Sequence, residues 1–209
     1  MRVLIVFYSR YGNTAALGEA VAEGCHRVEG TEVELRRAPE LLSAEAITRD
    51  QRWAAAHAAL GERYAEVELE DLEVADAIIW GSANRYGNMA AELKAFLDRT
   101  GPLWVRGAFI GKVGAVFCTN STAHSGKEST LLSMLIPLLH LGMVLVGVPP
   151  SVPETAVAGS YYGAAATTGP GADRGLSAEE CTVARALGER VAELTARLLR
   201  GHRFAGIQA

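Results

Sequence analysis

Five stretches of the chain have hydrophobic patterns that predict β-strands. Four of them are apolar at consecutive positions, which is typical of strands covered on both faces. The fifth, residues 31–36, is more polar and predicts an edge strand. The four buried strands are predicted at residues 3–8, 75–81, 113–118 and 143–148.

Helical spacing of apolar residues separates these strands. The first predicted helix follows the loop after the first strand, and the last begins with the capping box Ser177-x-x-Glu180. Between them, Asn88 is the predicted N-cap of a helix that ends at Gly101. A further apolar helix is predicted to stop at Gly142.

Strands and helices alternate along the sequence, which is the order of an α/β protein. This order predicts a doubly wound parallel sheet with right-handed crossovers and helices on both faces. We expect one domain over residues 1–209. Two insertions fit less simply: residues 37–74 predict one or two extra helices, and the Pro- and Gly-rich residues 149–176 predict a long irregular stretch.

Composition and charge narrow the class of protein. Of the 209 residues, 49% are hydrophobic, so the chain can bury a large core. A formal net charge of -4 argues against the basic surface of a nucleic-acid-binding protein. The three cysteines are odd in number and lack zinc-site spacing, which predicts no metal centre and favours the cytoplasm.

One stretch, residues 131–148, has the length of a membrane-spanning helix. Pro137, His140 and Gly142 interrupt it, and they favour a buried helix followed by a buried strand. The apolar run at residues 3–8 is shorter than the core of a signal peptide. We therefore expect no integral membrane association.

Three polar loops follow predicted strands and form the candidate binding site. They are residues 9–14, 82–88 and 119–126, all rich in Ser, Thr, Asn and Gly. Ligands of an open parallel sheet bind at the carboxyl ends of its strands. In the first loop, Ser9, Asn13 and Thr14 surround a glycine at a helix start, which indicates a phosphate site.

Absent motifs limit the kind of phosphate ligand. The first loop has no Lys and no G-x-x-x-x-G-K-[ST], which argues against a triphosphate with magnesium. It also lacks the G-x-G-x-x-G fingerprint of dinucleotide binding. Taken alone, the loop is also compatible with an ordinary glycine turn before a helix, but the two other polar loops favour ligand binding.

Four motifs together resemble the WrbA family. They are Ser-Arg-Tyr-Gly-Asn-Thr from residue 9, Arg-Tyr-Gly-Asn-Met from residue 85, Phe-Leu-Asp-Arg-Thr-Gly-x-Leu-Trp from residue 96 and His-x-Gly-Met from residue 140. The resemblance covers nearly the whole chain. It implies a flavodoxin-like five-stranded sheet of order 2-1-3-4-5 and an FMN-dependent NAD(P)H:quinone oxidoreductase that assembles as a homotetramer.

The resemblance also implies roles for individual residues. It makes His140 the catalytic residue, as a proton donor to the reduced quinone. It makes Trp104 and Tyr11 substrate-binding residues at the flavin. The cofactor-binding residues that it implies are Ser9, Arg10, Tyr11, Gly12, Asn13, Thr14, Asn84, Arg85, Tyr86, Gly87, Thr119, Asn120, Ser121, Thr122 and His140.

The sequence departs from the family pattern in two places. Leu141 stands where the family has a second His, and the third loop is one residue longer, which leaves contacts after Thr122 open. Without the resemblance, Trp104 would be read as a packing residue and His140 as a structural histidine in an apolar segment.

Three functions are compatible with these features. The first is two-electron reduction of quinones by NADH or NADPH through FMN, with the two substrates binding in turn in a ping-pong mechanism. The second is a flavodoxin-type electron carrier, although such carriers are usually shorter and more acidic. The third is a phosphate-binding module without redox chemistry. The sequence indicates neither the preferred nicotinamide nucleotide nor the quinone.

Overall fold

A parallel β-sheet forms the centre of the protein in the computed structural model, which describes the backbone of residues 1–205 and the side chains of residues 1–201. Its main path has the order β2-β1-β3-β4-β5, and β6 also pairs with β4. The predicted order is therefore confirmed, with six strands instead of five. The strands are β1 (Arg2–Phe7), β2 (Glu32–Arg37), β3 (Ala77–Ala83), β4 (Val113–Asn120), β5 (Val144–Leu145) and β6 (Ala164–Thr167).

Helices cover both faces of this sheet, as the alternating order predicts. Because side chains alternate along a strand, Ile5 of β1 enters the core on one face and Leu4 the core on the other. The helices are α1 (Asn13–Cys25), α2 (Ala44–Thr48), α3 (Gln51–Arg63), α4 (Leu69–Val74), α5 (Ala91–Asp98), α6 (Gly101–Val105), α7 (Lys127–His140) and α8 (Ala178–Ala205), with a 3-10 turn at Pro153–Ala156.

The fifth strand position is divided between two segments, which corrects the predicted strand at residues 143–148. Within the predicted strand, only β5 forms a ladder with β4, at the start of β4. The backbone N–H of Val148 donates to the carbonyl of Tyr161 at 3.0 Å instead of to β4, so the chain leaves the sheet. After this excursion β6 pairs with the end of β4. Residues 149–176 therefore contain a strand that the sequence did not indicate.

The segment at residues 37–74 contains three helices, α2 to α4, where one or two were predicted. Asp50 begins α3, because its carboxylate accepts hydrogen bonds from the backbone N–H groups of Arg52 and Trp53 at 3.0 and 3.1 Å. The Trp53 side chain is buried. This anchored helix lies beside the loop that follows β1.

The predicted N-cap of α5 is wrong by two residues. Asn88 is not the cap, because its backbone exchanges hydrogen bonds with Arg85 across a tight turn. Ala90 occupies the N-cap position, and its N–H donates to the Ser82 hydroxyl at 2.8 Å. The polar residues before Ala90 therefore do not cap α5.

Helix α1 packs closely against α8, which fixes the position of its N-terminus. A Cβ atom on Gly24 would lie 1.9 Å from the Arg185 carbonyl oxygen, and one on Gly188 would lie 1.9 Å from that of Val21. The Cys25 thiol donates to the Gly188 carbonyl at 3.3 Å across the same contact. Only glycine allows the two backbones to come this near.

The apolar segment at residues 131–148 comprises the end of α7, the turn that follows it, β5 and the three residues after β5. Leu131, Met134 and Leu138 of α7 are buried in the core against the sheet. Across residues 1–205, no helix combines the length and hydropathy needed to cross a membrane.

Candidate functional site

A pocket of about 210 Å³ lies at the carboxyl ends of β1, β3 and β4. The three predicted loops meet there, and a fourth segment, residues 168–172, contributes to the wall without having been predicted. The predicted residues that line the pocket are Ser9, Arg10, Tyr11, Asn13, Thr14, Asn84, Arg85, Thr119, Asn120 and Ser121, together with the additional residues Ala83, Thr168, Pro170 and Ala172.

The N-terminus of α1 opens at this pocket. Gly12 precedes the helix with a φ of 92°, a left-handed conformation that costs glycine little. Within the described chain, no side chain caps this helix end. The first backbone N–H groups and the positive end of the helix dipole are therefore available to an anion.

Three buried polar atoms of pocket residues have no hydrogen-bond partner among residues 1–201. They are the Ser9 hydroxyl, the Arg10 Nε and the Asn120 Oδ1. Leaving such a group unpaired costs about 1–3 kcal/mol, so native proteins usually satisfy it. Two of these atoms are donors beside the start of α1 and suit a phosphate, whereas Asn120 Oδ1 requires a donor from the ligand.

Hydrogen bonds tie the loops of the pocket to one another. The hydroxyls of Thr14 and Thr119 share a buried hydrogen bond at 2.8 Å. The backbone N–H groups of Asn84 and Thr168 donate to the carbonyls of Thr119 and Asn120, each at 2.8 Å. Since each loop contacts the loop after β4, the pocket is held as one unit.

The second loop ends in a tight turn whose tip projects away from the protein. Tyr86 and Gly87 have φ values of 54° and 78°, and the Asn84 side chain supports the turn by accepting from the Gly87 N–H at 2.9 Å. Tyr86 is fully exposed. Tyr86, Gly87, Gly12 and Thr122 do not line the pocket within this chain.

Helix α3 contacts the first loop, a feature that sequence reasoning missed. Tyr11 donates from its hydroxyl to Asp50 at 2.7 Å. This bond raises the pKa of Tyr11 and lowers that of Asp50. The Arg10 guanidinium lies 3.8 Å from the centre of the Trp53 ring, a cation–π contact. No local signal could reveal these contacts, because they join residues about forty positions apart.

Trp104 and His140 lie in a second cleft, of about 530 Å³, between α5, α6 and α7. The Trp104 indole N–H donates to the His140 carbonyl at 3.2 Å, and the two rings are 5.7 Å apart. No residue lines both cavities, although the turn between Asn84 and Met89 borders both. The structure of one chain therefore does not bring His140 and Ser9 into one pocket.

Solved structures with this arrangement are flavodoxin-like. A flavodoxin, WrbA-like protein from Agrobacterium tumefaciens aligns with a TM-score of 0.64 and 23% identity, covering 94% of this chain and 98% of that one. A flavodoxin from the domain Archaea aligns at 0.61 and 20% identity, covering 94% and 99%. The sheet order and the pocket at its carboxyl edge thus define a protein of the flavodoxin-like class.

Sequence comparison narrows this class. The chain belongs to the NADPH-dependent FMN reductase family, whose model matches residues 1–156. The NAD(P)H dehydrogenase (quinone) of Syntrophobacter fumaroxidans is 45% identical over 96% of this chain and 100% of its own length. That of Solidesulfovibrio magneticus is 44% identical over 95% and 99%. The predicted family resemblance is confirmed.

Proposed function

We propose that this protein is an NAD(P)H:quinone oxidoreductase that holds FMN in the pocket formed by the first three loops. The observation that carries the proposal is the buried Ser9 hydroxyl, which has no hydrogen-bond partner among residues 1–201. It lies beside the start of α1, which no side chain of the described residues caps. The proposed activity is supported by relatives that match over nearly their full length and are named NAD(P)H dehydrogenase (quinone).

The phosphate of FMN would be held at the start of α1. The Ser9 hydroxyl and the first N–H groups of α1 donate to it, and the Arg10 guanidinium adds positive charge. Asn120 would accept a hydrogen bond from a flavin N–H or a ribityl hydroxyl. The buried bond between Thr14 and Thr119 positions the first and third loops around the cofactor.

FMN, when bound, supplies the hydride chemistry, and the protein orients it and its substrates. NADH or NADPH and the quinone need the same open flavin face. They therefore bind in turn, which predicts ping-pong kinetics in the reduction of quinone to hydroquinone by two electrons. His140 would donate a proton to the reduced quinone and Trp104 would form part of its wall.

His140 and Trp104 can serve a flavin only where a second copy of the chain brings their cleft to its pocket. Large apolar side chains that line the cleft are exposed, including 66% of Ile136 and 48% of Trp104. Such a patch is typical of an interface between subunits. We therefore propose a homotetramer in which the exposed Tyr86 turn of one subunit meets the cleft of another.

Sedimentation of the FMN-loaded protein tests this assembly. We expect a tetramer, with dimers at low concentration, because a ligand that favours the assembled form shifts the equilibrium toward it. A monomer at micromolar concentration with full quinone reductase activity would contradict the assembly and the shared site.

Two measurements test the proposed function itself. Purified protein should be yellow, or become yellow on titration with FMN, and should then reduce benzoquinone at the expense of NADH or NADPH over many turnovers. FMN binding without turnover would favour the electron-carrier function, and the absence of FMN binding would contradict both flavin functions. The buried thiols of Cys25 and Cys118 support placing this reaction in the reducing cytoplasm.

A further inference from the structure

A short loop closes one end of the pocket, and we call residues 168–174 the strap. The strap is anchored where it begins, by the bond from the Thr168 N–H to the Asn120 carbonyl. It is anchored again where it ends, because Arg174 forms an ion pair with the buried Glu180 at 3.0 Å. Between these anchors, Pro170 and Ala172 line the pocket.

The middle of the strap depends on side chains from two other elements. Arg52 of α3 donates from its two terminal nitrogens to the carbonyls of Gly171 and Ala172. Asn13, at the start of α1, donates to the same Ala172 carbonyl at 2.8 Å. Ala172 has a φ of 52°, a strained conformation for alanine that persists only where surrounding contacts impose it.

Arg52 is itself held beside the first loop. Its guanidinium lies 4.9 Å from the centre of the Tyr11 ring, and the Tyr11 hydroxyl bonds to Asp50, the residue that begins α3. The planar fork of arginine matches two neighbouring carbonyl oxygens, whereas the point charge of lysine does not. The strap, α3 and the first loop thus form one connected network of contacts.

We propose that Arg52 fastens the strap across the phosphate end of the pocket and thereby sets how slowly FMN leaves. This inference rests on the proposed function, because it takes the start of α1 as the phosphate site. Arg52 is not among the residues that line the pocket, so it acts as a positioning residue. Its role is to keep Pro170 and Ala172 against the pocket.

The test is the rate of flavin release from the FMN-loaded protein, measured as the rise of free-flavin fluorescence after dilution. Arg52→Ala should release FMN about tenfold faster, as expected for the loss of hydrogen bonds from a charged donor. Arg52→Lys should fall between this variant and the parent. Riboflavin, which lacks the phosphate, should leave the parent and Arg52→Ala at the same rate.

Arg49→Ala is the matched control, because Arg49 is an exposed arginine just before α3 that pairs with Glu45 and does not line the pocket. It should release FMN like the parent. Arg52→Ala and Arg52→Lys releasing FMN at the control rate would overturn the inference, as would equal acceleration of FMN and riboflavin. A parent that binds no FMN would overturn the proposed function as well, so the two failures are distinguishable.

Discussion

Replacing Ser9 with alanine should have opposite effects on the empty and the FMN-loaded protein. The Ser9 hydroxyl is buried and has no partner in residues 1–201, so removing it relieves an unsatisfied polar group in the cofactor-free state. That group costs about 1–3 kcal/mol. The cofactor-free variant should therefore be at least as stable as the parent, and a gain of about 1 kcal/mol would raise its Tm by roughly 2–4 °C.

The affinity of the Ser9→Ala variant for FMN should fall. A hydrogen bond to a charged phosphate contributes about 1.5–3 kcal/mol, so the Kd for FMN should rise about 10- to 150-fold. Fluorescence titration of the cofactor-free protein gives this Kd, and thermal melts with and without FMN give the two stabilities. FMN should consequently raise the Tm of the variant less than that of the parent.

Ser151→Ala is the matched control, because Ser151 is exposed and is not among the residues that line the pocket. It should change neither quantity. A Ser9→Ala variant with unchanged FMN affinity would refute the placement of the phosphate beside Ser9. A variant whose empty form is markedly destabilised would refute the inference that the hydroxyl is unsatisfied before FMN binds.

Three further predictions concern other parts of the molecule. His140→Ala should lower quinone turnover more than FMN content, and equal losses of both would indicate a structural histidine. Gly188→Ala should destabilise the protein by about 1–3 kcal/mol in denaturant melts, because its Cβ would meet the α1 backbone, whereas Gly201→Ala in open space of the same helix should not. Burial raises the pKa of Cys25 to about 12, so iodoacetamide at pH 8 should label the partly exposed Cys181 first, and the reverse order would contradict this packing.

The sequence predicts the centre of the sheet well, for a physical reason. Strands β1, β3 and β4 are buried on both faces, so each appears in the sequence as a continuous hydrophobic run. The polar loops after them follow from the same pattern, because ligands of open parallel sheets bind at this edge. Ser9 and Thr14 were identified in this way, the resemblance to the WrbA family added Asn84 and Asn120, and all four line one pocket.

The edge of the sheet and the outer wall of the pocket could not be predicted. The run from Met143 to Val148 is apolar throughout, yet only β5 forms a ladder with β4, and the Val148 N–H donates to the Tyr161 carbonyl instead of to β4. Strand β6 consists of three alanines and a threonine and gives no periodic signal. The bonds from Arg52 to the strap join residues more than a hundred positions apart, so no local pattern records them.

The close contact between α1 and α8 has a consequence for where the binding site is encoded. The family model ends at residue 156, and all three motif-bearing loops lie before that point. Strand β6, the strap and α8 lie after it. A fragment cut at residue 156 would keep every motif residue. It would lose α8, which fixes the position of α1, and β6, which leads into the strap. Sequence change confined to the last quarter of the chain can therefore retune cofactor retention while the motifs stay intact.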